Sequence, residues 1–363
     1  MTEPRAPKVA IIGAGSVGLA LAAMLSASGD YAVLLADCVE DACIRAERRG
    51  LAAVHVDALR SADLRALIAG HDVVVAATPD PVTARIALAA VEAKIHYLDF
   101  ASGVARASGA RPRSCGPAFL DGCGVSPGLV DRAAAHLAGR FPGPVDLTVR
   151  VGAIPARRTN RLGYGLIWNL DGLLDEYTAP CEAIVDGQRT LLEPLSQKEE
   201  FSLGGVSYEA FCTAGGIGDL IDLAGTNVRN LVYRTIRYPG HLDYMRFLID
   251  DLRLRDRRDL LTTILRNGLP EIADDMVLVY VTARGDRDGV AAEESLVLRI
   301  AAARDGETGM ASALAVGSAA HAAALLDRIR DGAAVPAAGR GELERLLGNR
   351  FLKSVVACEL LQP

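Results

Sequence analysis

The stretch Lys8-Val9-Ala10-Ile11-Ile12-Gly13-Ala14-Gly15-Ser16-Val17-Gly18-Leu19 decides the fold. A short apolar run meets a G-x-G-x-x-G turn, and Leu19 to Ser28 then reads as helix, which is the context a dinucleotide-binding βαβ unit requires. Each glycine answers a separate need: the tight turn, the close approach of backbone to pyrophosphate, and close helix packing. The phosphates are expected on the helix N-terminus, at Gly13, Gly15, Ser16, Val17 and Gly18. A second apolar run, Tyr31 to Ala36, ends on Asp37. An acid about twenty residues past the glycines is placed to accept from the adenosine ribose hydroxyl.

Working outward, apolar runs alternate with helical stretches at 51–56, 62–69, 72–77, 81–93, 95–100 and 117–120. That pattern predicts an α/β fold, a Rossmann doubly wound parallel sheet. Ligands of such sheets bind beyond the carboxyl ends of the strands, so Thr78-Pro79 and Tyr97 to Asp99 point at the cofactor. Asp37 repels a 2′-phosphate, and Cys38 and Val39 follow it where an arginine would favour one. NAD is therefore preferred, while Arg45 and Arg48 leave NADP open.

At 363 residues the chain is long enough for two domains. From about residue 123 the pattern changes to longer strands with turn signals at Asp186-Gly187, Gly204-Gly205 and Gly285 to Gly289, which predicts a second α+β domain with a mixed sheet. Helical periodicity recurs at 130–137, 242–252 and 312–329. The expected division is 1–122 with 310–363 for the nucleotide domain and 123–309 for substrate binding and dimerisation. Ser126-Pro127 reads as a helix start with proline at the first helical position.

A net charge of −6 argues against nucleic acid as partner. The apolar runs fall short of the roughly 20 residues that span a bilayer, and Met1 to Ile12 lacks signal-peptide organisation, so no membrane and a cytoplasmic location are expected. Seven cysteines at 38, 43, 115, 123, 181, 212 and 358 form no C-x-x-C pair, so free thiols and no metal are expected. Of 39 basic residues 35 are arginine, which makes a Schiff-base lysine an unfavoured catalyst.

Later motifs carry a more specific resemblance. Cys123-Gly124-Val125-Ser126-Pro127-Gly128, Gly152-Ala153-Ile154-Pro155, the segment Trp168 to Tyr177 with Pro180-Cys181-Glu182, Tyr208 to Gly216, and Thr235-Ile236-Arg237-Tyr238-Pro239-Gly240-His241 follow in order. Together they resemble the saccharopine dehydrogenase-like enzymes, which include saccharopine reductase, lysine 6-dehydrogenase and carboxynorspermidine dehydrogenase. The Trp168–Tyr177 segment is most similar to the lysine 6-dehydrogenase branch. The resemblance implies NAD(P)-dependent oxidation or formation of a C–N bond in an amine or amino acid, and a homodimer. It leaves three readings: oxidative deamination to an aldehyde or cyclic imine, reductive amination joining an amine to a carbonyl, and a dinucleotide-binding chain without chemistry.

An alkylammonium with a pKa near 10.4 cannot release a hydride until a base removes its proton. Asp99 is the first candidate base, or else a loop cap. His241 is expected to titrate near neutrality as an acid or base, or to cap a helix. Arg237 suits a substrate carboxylate, with a salt bridge as its alternative. Asp171 and Glu176 are candidates to hold a cationic amine, but their i, i+5 spacing lets at most one reach it. Tyr97, Cys123 and Trp168 complete the expected substrate lining, although Trp168 also suits a core and Cys123 a buried thiol.

Overall fold

Val9 to Ile12 are almost completely buried, because β1 (Lys8–Ile12) is covered on both faces, as interior strands of parallel sheets are. The chain continues as α1 (Ser16–Ser28), β2 (Ala32–Asp37), α2 (Glu40–Glu47), β3 (Ala53–His55) and α3 (Ser61–Ile68). Then follow β4 (Val73–Ala76), α4 (Asp80–Ala93), β5 (His96–Asp99), α5 (Val104–Ala107) and β6 (Phe119–Leu120). All six strands are parallel, in the order β3-β2-β1-β4-β5-β6. The order reverses between β1 and β4, the switch point at which such sheets bind dinucleotides. The computed structural model describes residues 5–101, 103–110, 116–167, 169–272, 274–305, 309–333 and 342–361.

Two compact units result. The nucleotide unit comprises Met1–Leu129, Ala315–Ala337 and Glu344–Val355; the second unit comprises Val130–Leu314, Ala338–Leu343 and Val356–Pro363. In the first, Leu64, Leu67 and Ile68 of α3 and Ile86, Ala87 and Ala90 of α4 pack with Ala10, Ile12, Val74, Ala76 and Tyr97 of the sheet.

Beyond β6 come α6 (Leu129–Ala138), β7 (Val145–Pro155), α7 (Leu170–Thr178), β8 (Cys181–Val185), β9 (Gln188–Leu192), β10 (Glu199–Leu203) and β11 (Val206–Cys212). They are followed by β12 (Val228–Arg237), α8 (His241–Arg246), α9 (Arg258–Gly268), β13 (Asp275–Arg287) and β14 (Val290–Ala301). The chain closes with β15 (Ala303–Asp305), β16 (Gly309–Ala311), α10 (Ala313–Arg330), α11 (Glu342–Leu347), α12 (Arg350–Val355) and β17 (Val356–Leu361). The large sheet of the second unit runs β10-β11-β12-β7-β13-β14-β17, with β8 and β9 attached to β12. It is mixed: β7 and β12 are parallel, and the other neighbours along this path are antiparallel.

Among the described residues three hairpins turn on two residues with positive φ, Asp186-Gly187, Gly204-Gly205 and Asp288-Gly289, the conformation that matches strand twist. The third is tighter than the expected loop from Gly285 to Gly289, because strand pairing persists to Arg287. The helix expected at 242–252 is α8 followed by a π-helical turn over Phe247–Asp251. Pro127 is not the first residue of a helix: the Ser126–Pro127 peptide is cis and α6 begins at Leu129. β17 also departs from the expected domain division, because it pairs with β14 and so belongs to the second unit. Among the described residues no helix is long and apolar enough to cross a membrane.

Candidate functional site

The dinucleotide end is built mainly from backbone. Gly13 has φ +108°, and a Cβ there would lie 2.2 Å from the Ala77 carbonyl oxygen. A Cβ on Gly18 would lie 1.9 Å from the carbonyl oxygen of Gly13, so the turn and the first turn of α1 close only without side chains. Gly15 differs: nothing stands within 4 Å of its Cβ position. It is the N-cap of α1, has no capping side chain, and no acid occupies the first turn. Those free N–H groups and open space fit a pyrophosphate beside Gly15, Ser16, Val17 and Gly18.

Asp37 ends β2 and accepts from Ala14 N at 2.6 Å and Val39 N at 2.8 Å. It staples the glycine turn to the end of β2, and a carboxylate keeps further lone pairs for a ribose hydroxyl. Glu40 and Asp41 follow in the first turn of α2, adding negative charge there. Thr78 sits against the glycine turn, its Cγ2 3.3 Å from a Cβ position on Gly13. Thr78 and Thr83 hydroxyls meet at 2.9 Å, and Pro79 is the N-cap of α4.

The end of β5 is a closed bracket. Asp99 is fully buried; its Oδ1 accepts from Ala101 N and Gly122 N, both at 3.1 Å, and its Oδ2 from Tyr97 Oη at 2.6 Å. Burial pushes the Asp99 carboxyl up to about 6, opposed by those three donors. Tyr97, expected at the substrate, is instead a core residue. It is fully buried, its ring stacks on Phe119 at 4.5 Å, and its hydroxyl is spent on Asp99. Cys123 is buried, its Sγ 3.6 Å from the Leu120 carbonyl and its N donating to Asp99 O. From α10, His321 Nδ1 lies 2.8 Å from the Gly124 carbonyl and Ser318 Oγ accepts from Val125 N, pinning this turn within the nucleotide unit.

In the second unit, α7 buries Leu170, Leu173, Leu174 and Tyr177, an i, i+3, i+4, i+7 face. Asp171 and Asp175 therefore point outward, and Arg258 of α9 pairs with both. This corrects the expectation for Asp171, which is exposed and already paired with Arg258, an arginine it shares with Asp175. Glu176 lies on the inner side, half-buried, and its carboxylate has no hydrogen-bond or ion-pair partner among the described residues. Burial pushes its carboxyl up to about 7, against the nearby Arg237 charge. Trp168 lies outside the described residues, as does Cys115.

Arg237, at the end of β12, is almost completely buried. Its Nε donates to Tyr177 Oη and its Nη1 to the Ile236 carbonyl, both at 2.8 Å, while the guanidinium lies 4.8 Å from the Tyr164 ring centre. Its Nη2 makes no hydrogen bond among the described residues. His241, expected to titrate near neutrality, does not. It is fully buried, both ring nitrogens are engaged, and burial with the Arg237 charge pushes it down to about 3. Among the described residues no cluster of His, Cys, Asp and Glu is placed to hold a metal.

Residues 9–118 match the saccharopine dehydrogenase NADP binding domain, and residues 124–349 match the saccharopine dehydrogenase C-terminal domain. The chain belongs to the saccharopine dehydrogenase family. It is thus an NAD(P)-binding oxidoreductase of that family. Its fold is that of the apo saccharopine dehydrogenase (L-Glu forming) from Saccharomyces cerevisiae, with TM-score 0.79, 16% identity, and coverage of 98% of this chain and 100% of that one. Biliverdin reductase from Synechocystis sp. PCC 6803, in complex with biliverdin and NADP+, aligns over 97% of each chain at 14% identity with a TM-score of only 0.36.

Three residues at this family member's second site were not singled out from sequence. Tyr177 links Arg237 to His241; Tyr164 underlies the guanidinium; and Glu209, fully buried, accepts from Gly240 N and Leu242 N, capping α8. Only the apolar period of α7 hinted at Tyr177. Glu209 entered only as part of the Tyr208 to Gly216 motif, and nothing local marked Tyr164.

Proposed function

We propose that this chain is an NAD-dependent amine dehydrogenase of the lysine 6-dehydrogenase kind, oxidising a terminal amine to an aldehyde that closes to a cyclic imine. The observation that carries the reading is the pair of opposite charges in the second unit. Buried Arg237 keeps one guanidinium nitrogen without a partner among the described residues, and Glu176, close enough to feel its charge, keeps an unpaired carboxylate. Such a pair suits a molecule that carries both a carboxylate and an ammonium group.

The chemistry follows from the protonation states. Glu176 takes the ammonium proton and frees the nitrogen lone pair, which then forms the C=N bond as a hydride leaves the adjacent carbon. Water adds to that carbon and ammonia departs, leaving the aldehyde. Bound NAD+ supplies the hydride acceptor. Asp99, with both carboxylate oxygens occupied and none of its surface exposed, is a bracket for the β5 turn in this reading, and the base is Glu176. Asp37, Glu40 and Asp41 at one helix end disfavour a 2′-phosphate and so favour NAD. The same proposal includes a homodimer, supported by the exposed edge strand β17 with Leu360 and Leu361; sedimentation as a monomer would remove that part.

The test is a screen of amines and amino acids, lysine first, with NAD and with NADP, following the absorbance of the reduced nicotinamide. Turnover with lysine or a related diamine and NAD is expected. No turnover with any amine overturns the proposal, and turnover only when amine and carbonyl are supplied together with reduced cofactor replaces it with reductive amination.

A further inference from the structure

We infer that Tyr177 and His241 are positioning residues that aim Arg237, holding its guanidinium by the Nε edge through a chain of hydrogen bonds that runs in one direction only. The inference rests on the reading that Arg237 receives the substrate's carboxylate. Its links are Arg237 Nε to Tyr177 Oη at 2.8 Å, Tyr177 Oη to His241 Nε2 at 2.9 Å, and His241 Nδ1 to the Leu162 carbonyl at 2.9 Å.

The direction follows from donor chemistry. A carbonyl only accepts, so Nδ1 of His241 carries the proton. The neutral ring then offers a lone pair at Nε2, which takes the Tyr177 hydroxyl proton. Tyr177 thereby turns its own lone pairs to the Nε–H of Arg237. An imidazolium would reverse the middle link, leaving the Tyr177 oxygen between two donors and its own proton without an acceptor among the described residues. The surroundings agree with a neutral ring: Tyr164, Tyr177 and Phe211 pack around it at centroid distances of 5.5, 5.8 and 6.3 Å. Among the described residues the charged groups nearby are Arg237, which opposes protonation, Glu176, whose charge acts on Arg237 and Tyr177, and Glu209, which is occupied by Gly240 N, Leu242 N and Lys198. With Nε tied to Tyr177, Nη1 to Ile236 and the flat face on Tyr164, Arg237 has one free edge, at Nη2.

The experiment compares Tyr177→Phe, His241→Leu and His241→Gln with the unaltered chain, using lysine and 1,5-diaminopentane, which lacks the carboxylate. Tyr177→Phe and His241→Leu are expected to raise KM for lysine about tenfold or more, with kcat little changed and the diamine unaffected. His241→Gln, whose amide oxygen accepts the Tyr177 proton, is expected to restore KM for lysine. Equal losses on both substrates overturn the inference, as does a fall in kcat accompanied by loss of a neutral-pH limb. If the unaltered chain oxidises no amine, the proposed function fails while the relay is still read directly. In ¹⁵N-histidine and ¹⁵N-arginine NMR of the whole chain, His241 is expected as the neutral Nδ1–H form across about pH 5 to 8, and Tyr177→Phe is expected to shift the Arg237 Nε resonance. An imidazolium in that range, or an unmoved resonance, overturns the inference.

Discussion

The two units build their sites from different materials. In the nucleotide unit recognition is a property of backbone: missing side chains at Gly13 and Gly18, bare N–H groups at the start of α1, and one carboxylate that fastens the turn. In the second unit the proposed site is made of side chains held by other side chains, with Arg237 fixed by partners from α7, α8 and the turn before them. The first kind of site tolerates change at most positions and fails abruptly at a few. The second degrades by degrees as each support is removed.

The sharpest break is at Gly18. Gly18→Val places carbon within 1.9 Å of a backbone oxygen that has nowhere to go, so calorimetry is expected to show dinucleotide affinity reduced about a hundredfold or more. Retained affinity would mean that the turn is not the phosphate site. Next is Glu176→Gln, expected to lower kcat/KM about a hundredfold. If Glu176 is the base it acts deprotonated, so kcat/KM of the unaltered chain is expected to rise as pH passes about 7, where burial has placed the Glu176 carboxyl, and the variant is expected to be flat there. A limb that survives the substitution assigns the base elsewhere.

Asp99→Asn sharpens the contrast from the nucleotide side. The folded-state value of about 6 lies above the ordinary 3.8, so stability is fully present below about 3.8 and is lost as pH rises through about 6, by about 3 kcal/mol. Asparagine keeps three hydrogen bonds if Tyr97 turns its hydroxyl to accept. Thermal melts are expected to show Asp99→Asn matching the unaltered chain near pH 4 and exceeding it above pH 6, with turnover retained; a collapse of turnover would return Asp99 to the base's role. The smallest effect belongs to Asp171→Ala, which removes one exposed ion pair with Arg258. It is expected to change stability by less than about 1 kcal/mol and leave kcat/KM intact, and a loss of turnover would bring Asp171 back to the substrate.

This contrast explains what could be read from residues alone. Gly13, Gly15, Gly18 and Asp37 are legible because strand, turn, helix and second strand are local, and each glycine answers a local steric demand. The hairpins at Asp186-Gly187 and Gly204-Gly205 are legible for the same reason. The partners of Arg237 are not, since Tyr177 stands 60 residues away from it, and His241 stands 64 from Tyr177 and 79 from Leu162. Asp99 and His241 stand out in the sequence as candidate acid–base residues, but their burial, which sets their protonation, depends on packing that no short segment reveals. Asp171 shows the converse: its charge is visible in the sequence, while the arginine that pairs with it arrives 87 positions later.

The pairing of β17 with β14 has a consequence for synthesis. β14 is a strand of 12 residues whose Leu296, Val297 and Leu298 lie in the interior, and its outer edge is satisfied by Val356 to Leu361. On the ribosome that edge waits, with unpaired N–H and C=O groups, while α10, α11 and α12 are made. A nascent chain stalled before residue 356 thus displays a long β edge to its neighbours, the kind of surface on which aggregation begins. Released chains truncated after Val355 should depend on chaperones more than chains that carry Val356 to Leu361.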